Sequence, residues 1–179
     1  MKKRIINAAD YASEIMKALP GGILLTTKAG EEVNVMTIGW GGIGVNWSKP
    51  VFTAYIRKHR HTVSLLDRNG EFTVSVPMSD FDKRIIGICG SISGRDTDKV
   101  KEAGLTLVEP SQISVPAIRE FPLTLECRVL YRQEQELALY DDSIMKMYPQ
   151  DVDELNTGAN KDPHITYIAE IVAAYIIED

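Results

Sequence analysis

Cysteine and histidine are both scarce in this chain. Its 179 residues include two cysteines, Cys89 and Cys127, and three histidines, His59, His61 and His164. Two cysteines are too few for the disulfide framework of a small secreted protein. Neither belongs to a C-x-x-C pair, so we expect both to be small buried apolar side chains. His59 and His61 lack a third ligand nearby in the sequence, and no metal site is expected.

A long apolar run and an excess of positive charge are also missing. No stretch approaches the roughly 20 apolar residues of a membrane-spanning helix. The chain opens with basic residues, as a signal peptide does, but Asn7, Asp10 and Glu14 follow in place of an apolar segment. There are 20 Lys and Arg against 25 Asp and Glu, a net charge of −5, so neither nucleic acid nor an anionic membrane is an expected partner. We therefore expect a cytoplasmic protein.

The hydrophobic pattern predicts one domain, residues 1–179, built mainly from strands. A content of 44% hydrophobic and 25% charged residues is ordinary for a globular domain of this length. Alternating or β-branched runs predict six strands, at 23–27, 33–38, 51–56, 71–76, 123–131 and 165–177. Short helices are predicted at 7–19, 62–67, 81–88, 98–103 and 141–147, with Thr62 as the N-cap of the second. Because no long helices alternate with the strands, an antiparallel barrel is favoured over a parallel sheet.

Residues 39–44 formally match the G-x-G-x-x-G pattern of dinucleotide-binding folds. That pattern binds a pyrophosphate only where it opens a helix. Here Pro50 follows closely and restricts Lys49 to extended geometry, so no helix fits and the dinucleotide interpretation is rejected. We predict a loop over 39–50 whose glycines allow close approach to a ligand; a plain surface loop accounts for the sequence equally well. Of the two tryptophans that flank it, Trp40 is a candidate pocket wall and Trp47 a candidate interface residue.

The densest positive charge lies in the segment 57–62, Arg-Lys-His-Arg-His-Thr. A phosphate favours this mixture, because a guanidinium donates charge-assisted hydrogen bonds and a threonine adds a hydroxyl. Alternation along a strand means that not all five basic side chains can face one anion. A solvated basic patch is the alternative. The loop 91–99 contributes Ser93, Arg95 and Lys99 as a candidate second anion-binding wall, although a capped helix start also explains it.

Together these segments resemble the flavin reductase-like, FMN-binding split-barrel family, in particular its flavoredoxin-like branch. The segments that carry the resemblance follow one another in the family's order, from about residue 19 to the C-terminus: 20–27, 34–40, Lys49-Pro50, 57–62, 71–76 and 162–168. One departure is that relatives carry a Ser-rich, Cys-Asn-Ser-like loop before a Pro-Pro pair, where this chain has the glycine-rich residues 41–50. The departure shifts expected phosphate contacts towards backbone amides and Arg60.

The resemblance implies a six-stranded antiparallel Greek-key split barrel with peripheral helices, a homodimer, and FMN bound near the subunit interface. By position it implies three groups of cofactor-binding residues. On the ring side these are Asn34, Met36, Thr37 and Trp40; on the phosphate side Arg57, Arg60 and Thr62; and in later loops Ser93, Arg95, Lys99 and His164.

The function implied by the resemblance is an FMN-dependent oxidoreductase of flavin reductase or flavoredoxin type. It would transfer electrons from NAD(P)H or a redox protein through FMN. No catalytic acid or base is assigned. The alternatives are a flavin carrier or electron-transfer flavoprotein without NAD(P)H turnover, and a split-barrel protein that binds haem or no cofactor.

Overall fold

A computed structural model describes residues 1–146 and 163–178. The strands are β1 (Lys2–Ile5), β2 (Ile23–Ala29), β3 (Glu32–Ile38), β4 (Gly41–Asn46), β5 (Lys49–Arg57), β6 (Glu71–Val76), β7 (Leu107–Val108), β8 (Ala117–Ile118), β9 (Leu123–Glu134) and β10 (His164–Glu178). The helices are α1 (Ala12–Ala18), α2 (His61–Leu66), α3 (Arg84–Ser91), α4 (Lys99–Glu102) and α5 (Asp142–Met145). None of the described helices is long and apolar enough to cross a membrane.

Eight strands form one antiparallel sheet in the order β3-β2-β6-β9-β10-β5-β4, with β1 added beside β10. The six predicted strands are all present as β2, β3, β5, β6, β9 and β10, and they follow one another in this sheet. Strands β6, β9 and β10 pair in succession, and β10 also pairs with β5, the strand that precedes β6 in the chain, which is a Greek-key connection. The sheet curls until β3 and β5 contact each other. The predicted mainly-β split-barrel fold is confirmed, with β1 and β4 as additions.

Strands β2 and β6 bury both of their faces, which explains their near-continuous apolar character. In β2, Ile23 and Leu25 belong to the barrel core, whereas Leu24 packs under α3 in a second apolar cluster. Cys127 lies in the first cluster and Cys89 in the second, both fully buried as expected. The second cluster holds α3 against the outside of the barrel. It therefore positions the end of α3 that reaches the site described below.

The prediction of a loop over 39–50 is wrong, because β4 runs through it and pairs with β5 as a hairpin. Trp47 and Ser48 form the turn and both have positive φ, 48° and 59°, as a tight hairpin requires. A side chain at Gly41 would collide with the carbonyl oxygen of Thr53, so the backbones approach there because glycine is present. Glycine is depleted in strands, so residue propensities do not predict a strand at β4.

The predicted helix boundaries also need correction. Helix α2 begins at His61 with Arg60 at the N-cap position, so Thr62 lies inside the helix and is not its cap. Helix α3 begins and ends three residues later than predicted. The predicted helix at 7–19 begins as a 3₁₀ turn, Ala8–Tyr11, which the Asn7 side chain caps by accepting from the amide of Ala9 (3.1 Å). Residue 147 of the last predicted helix lies outside the described residues.

Candidate functional site

A cleft opens where β3, the end of β5, the start of α2, the end of α3 and the loop 91–95 meet. It has a larger chamber of about 840 Å³ and an adjoining one of about 260 Å³. The two chambers share the residues that divide them, Met36, Thr37, Arg57, Arg60 and Gly90. Strand pairing assembles this wall, because antiparallel register places His164 of β10 directly opposite Arg57 of β5.

All of the site residues expected from the sequence line this cleft. The larger chamber contains Asn34, Met36, Thr37, Arg57, Arg60, Thr62, Ser93, Arg95 and Lys99, and the smaller adds Trp40 and His164. Residues as far apart in sequence as 34 and 164 therefore surround one volume. Their role in holding a cofactor stays a prediction. Three further residues also line the cleft: Tyr55, Ile86 and Gly90. No motif in the sequence marks them as site residues, and only their closeness to the marked segments could have suggested them.

One end of the cleft is strongly basic. Arg57, Arg60, Arg95 and Lys99 line the larger chamber, and its described lining includes no carboxylate. Arg60 donates to the carbonyl of Gly90 (2.5 Å), Lys99 to that of Cys89 (3.5 Å) and Arg95 to that of His59 (3.1 Å). Cations at the carboxyl end of a helix complement its dipole. Arg60 and Lys99 are thereby tied to the end of α3 and oriented toward one region.

Not every basic residue of the segment 57–62 lies well inside the larger chamber. Lys58 is absent from the described lining and pairs with Glu134 on the outer surface (2.6 Å). His61 lies at the cleft margin, where its Nε2 contacts Oε1 of Glu32 at 2.6 Å. Arg68, which bonds the same carboxylate, and then His61 lower the pKa of Glu32. Lys58 thus lies outside the cleft, as the expectation that not all five basic side chains can face one anion allows, whereas the other four line the larger chamber.

The floor of the larger chamber contains an unusual polar pair. Asn34 is 3% exposed, and its Nδ2 donates to Oγ1 of the fully buried Thr62 (2.8 Å). This leaves Asn34 Oδ1 buried without a hydrogen-bond partner among the described residues. Gly94 covers that oxygen so closely that a Cβ at residue 94 would collide with it. Buried acceptors are nearly always satisfied, so the Asn34 Oδ1 is an exception among the described residues of this chamber.

The smaller chamber is aromatic. The rings of Trp40 and His164 lie 4.8 Å apart between centroids with an interplanar angle of 34°. A hydrogen bond from the amide of Tyr55 to the carbonyl of Trp40 (3.4 Å) holds the start of the β4–β5 hairpin beside them. Trp40 is 48% exposed whereas His164 is 5% exposed. The chamber therefore has a buried imidazole under a partly exposed indole that can shield a flat ligand from water.

No metal centre is found in this cleft or elsewhere in the described part of the chain. Within residues 1–146 and 163–178, no three His, Cys, Asp or Glu side chains group as metal ligands.

Comparisons with known proteins agree with the architecture. The profile of the flavin reductase like domain matches residues 16–179. An uncharacterized protein from Archaeoglobus fulgidus is 32% identical over 134 residues, which cover 75% of this chain and 71% of that protein. The uncharacterized protein YddH of Escherichia coli is 28% identical over 123 residues, covering 67% of this chain and 64% of YddH.

Solved structures share the fold at lower identity. The FMN-binding domain of a flavin reductases-like enzyme from Shewanella baltica superposes with a TM-score of 0.66 at 17% identity, covering 98% of this chain and 77% of that one. Flavoredoxin of Desulfovibrio vulgaris has a TM-score of 0.64 at 23% identity, covering 88% and 69%. An FMN-binding protein from Thermus thermophilus with bound 1-cyclohex-2-enone has a TM-score of 0.61 at 20% identity, covering 87% and 69%.

Proposed function

The chain belongs to the flavin reductase-like domain family, and from that premise we propose that it binds FMN and acts as an oxidoreductase of flavin reductase or flavoredoxin type. The observation that carries the proposal is the polarity of the cleft. Four cations from two separate segments line the larger chamber, without a carboxylate in its described lining, and a partly aromatic chamber adjoins it across Arg57 and Arg60. FMN has the same asymmetry, with a phosphate of charge near −2 at one end and a flat ring system at the other.

The described residues fit this cofactor. A chamber of about 840 Å³ falls within the range of about 300–1,000 Å³ typical of small-molecule sites. Arg60, Arg95 and Lys99 would hold the phosphate through charge-assisted hydrogen bonds.

Bound FMN supplies the hydride and electron transfer, so the protein's own contribution is binding, orientation and exclusion of water. The ties of Arg60 and Lys99 to the end of α3 preorganise two cations before a ligand arrives. Because these side chains already have their binding orientation, the free-energy cost of reorganising the site when the ligand binds is small. Trp40 and His164 would cover one side of the ring and limit access of water to it. We propose NAD(P)H or a redox protein as the electron donor; the cytoplasmic location expected from the sequence stays a prediction.

An absorption spectrum of the purified protein, with the released cofactor identified by mass, tests the proposal. We expect the absorption bands of an oxidised flavin and the mass of FMN. Oxidation of NADH and of NADPH is then followed at steady state. Turnover with either nucleotide supports a reductase, whereas bound FMN without turnover identifies a flavin carrier. A colourless protein that does not bind added FMN would reject both flavin functions.

We further propose that the chain forms a homodimer through the β4–β5 hairpin. Trp47 at its turn is 92% exposed and the neighbouring Val45 is 79% exposed, and β4 ends the order of the main sheet. Exposed aromatic side chains on a sheet edge are costly in water and are typical of contact surfaces. A second copy of the chain is the partner that the family resemblance implies.

Changing Trp47 to Lys is expected to convert the dimer into a monomer in sedimentation equilibrium, because a charged side chain replaces an apolar contact. Ile5→Lys, at an exposed apolar position on β1, serves as the control and should remain dimeric. A wild-type protein that sediments as a monomer at every concentration would contradict the dimer.

A further inference from the structure

Lys99, the first residue of α4, is buried, which is rare for a lysine. Its side chain reaches the larger chamber although the residue is only 4% exposed. The contact found for its ammonium is the carbonyl oxygen of Cys89, at the long distance of 3.5 Å. Buried lysines are rare unless paired, because an ammonium loses its hydration when it leaves water. The position of Lys99 therefore requires an explanation beyond packing.

The charges around Lys99 do not compensate for this loss. Arg60, the cation tied to the same end of α3, repels the ammonium, and the buried thiol of Cys89 adds only a minor opposite effect. Helix α4 packs against α3 and β3, whose own ionisable groups are engaged elsewhere. On β3, Glu32 bonds to His61 and Arg68; on α3, Arg84 bonds to Asp82; on α4 itself, Asp98 caps the helix, and Lys101 and Glu102 follow.

The protonation state of Lys99 follows from this environment. Burial, with repulsion from Arg60 second, lowers the pKa of Lys99 from 10.5 to about 8. Burial raises the pKa of the Cys89 thiol to about 11, so the thiol stays neutral through the same range. The amine of Lys99 is therefore about half neutral at pH 8 when no anion is near it.

We propose that the buried Lys99 takes up a proton when a phosphate dianion enters the cleft beside it and Arg60, so that affinity for FMN, but not for riboflavin, falls at alkaline pH. This inference rests on the proposed function, since it assigns the phosphate to the end of the cleft where Lys99 and Arg60 meet. Lys99 is then the titrating member of the site, and Arg60 the permanently charged one.

The sign of the effect follows from linkage. A dianion beside Lys99 favours the ammonium and raises the pKa of Lys99 in the complex above its value of about 8 in the free protein. The complex then binds more protons than the free protein at every pH between these two pKa values, so the association constant falls as pH increases in that window. Below pH 8 the amine is already protonated, and the affinity levels off.

The test compares FMN, riboflavin and inorganic phosphate on the full chain after removal of any bound flavin. For FMN we expect the wild-type dissociation constant to rise about 5- to 10-fold between pH 7 and pH 9, which is the linkage of a single proton with a free pKa of about 8. Riboflavin should show no such rise. Inorganic phosphate, used as a competitor and expressed as the concentration of its dianion, should follow the pH dependence of FMN and so assign it to the phosphate and not to the ring.

Two variants separate the role of Lys99 from that of other groups. Lys99→Arg keeps a permanent charge, so it should bind FMN at pH 9 as well as at pH 7. Lys99→Met should bind FMN weakly at both pH values. Titration calorimetry in buffers of different ionisation enthalpy should give an uptake of about 0.5 proton per FMN at pH 8 for wild type and almost none for Lys99→Arg.

Each outcome decides one of the two claims. FMN binding that is independent of pH, or a pH slope that Lys99→Arg retains, overturns the role of Lys99 but leaves the proposed function standing. Absence of FMN binding to wild type at every pH rejects the proposed function itself. If neither variant folds, the wild-type comparison of FMN with riboflavin and the wild-type proton uptake still decide.

Discussion

Replacing Arg60 with alanine is expected to weaken FMN binding about 30- to 150-fold and to leave riboflavin binding almost unchanged. The range corresponds to the loss of about 2–3 kcal/mol from charge-assisted hydrogen bonds to a phosphate. Arg60 lines both chambers and is oriented by its bond to the carbonyl of Gly90. Riboflavin lacks the phosphate, so it reports any indirect effect of losing that bond. Fluorescence quenching of each flavin by the protein measures the two dissociation constants.

Lys58→Ala is the matched control for this experiment. Lys58 belongs to the same basic segment, but it pairs with Glu134 and is absent from the described cleft lining. It should therefore leave the affinity for both flavins unchanged. Arg60→Lys should recover part of the FMN affinity, since it keeps the charge but loses the fork of donors. Equal losses for FMN and riboflavin in Arg60→Ala would remove Arg60 from the phosphate site.

Replacing Glu126 with glutamine is expected to destabilise the protein by about 3 kcal/mol, although Glu126 is absent from the described lining of the cleft. Glu126 is fully buried, and its carboxylate accepts from the amides of Ser111 (2.6 Å) and Gln112 (2.7 Å) and from the hydroxyl of Tyr175 (2.9 Å). Burial, assisted by Glu126, raises the pKa of Tyr175 and keeps its hydroxyl a donor. Lys3 lies over the Tyr175 ring at 4.4 Å.

The physical reason is a mismatch of donors. A carboxylate accepts on both oxygens, whereas glutamine turns one of them into an NH₂ group that faces another donor. A buried donor without an acceptor costs about 1–3 kcal/mol. For a chain of this size, each kcal/mol lowers Tm by about 2–4 °C, so a drop of about 6–12 °C in thermal unfolding is expected.

Glu178→Gln is the matched control, because Glu178 makes an ion pair with Arg4 (2.6 Å) on the exposed surface. Exposed pairs of this kind contribute little to stability, and Tm should be almost unchanged. If Glu126→Gln lowers Tm no more than Glu178→Gln does, the buried carboxylate does not hold the 109–112 segment as described.

The strands were predictable because their pattern is local. Alternation or β-branched runs of four to eight residues identified β2, β3, β5, β6, β9 and β10, and all six are confirmed. The two additional strands of the main sheet, β4 and β1, were not predicted, and the reason is again local. Strand β4 contains three glycines, and β1 is a short, mostly charged segment that pairs only because the end of β10 reaches it. Their partners, and not their own residues, decide that they are strands.

The cleft was predictable only through family resemblance. No spacing rule brings Trp40 beside His164, or Lys99 beside Cys89, because those contacts depend on which strands pair and on how α3 packs. The orphaned oxygen of Asn34 and the covering position of Gly94 likewise have no sequence signature. Each of these features arises between segments that are distant in the chain or folded back on each other.

The amino-acid sequence by itself determined the strand pattern, the buried cysteines and the concentration of positive charge at 57–62, since each follows from short-range alternation and composition. Tertiary structure decided which cations face the ligand. Alternation separates Arg57 from Lys58, but only the pairing of β5 with β10 and the packing of α3 determine which side becomes the cleft. The same packing buries the amine of Lys99 beside Arg60. Burial lowers the pKa of an amine by removing it from water, and no sequence pattern specifies that removal.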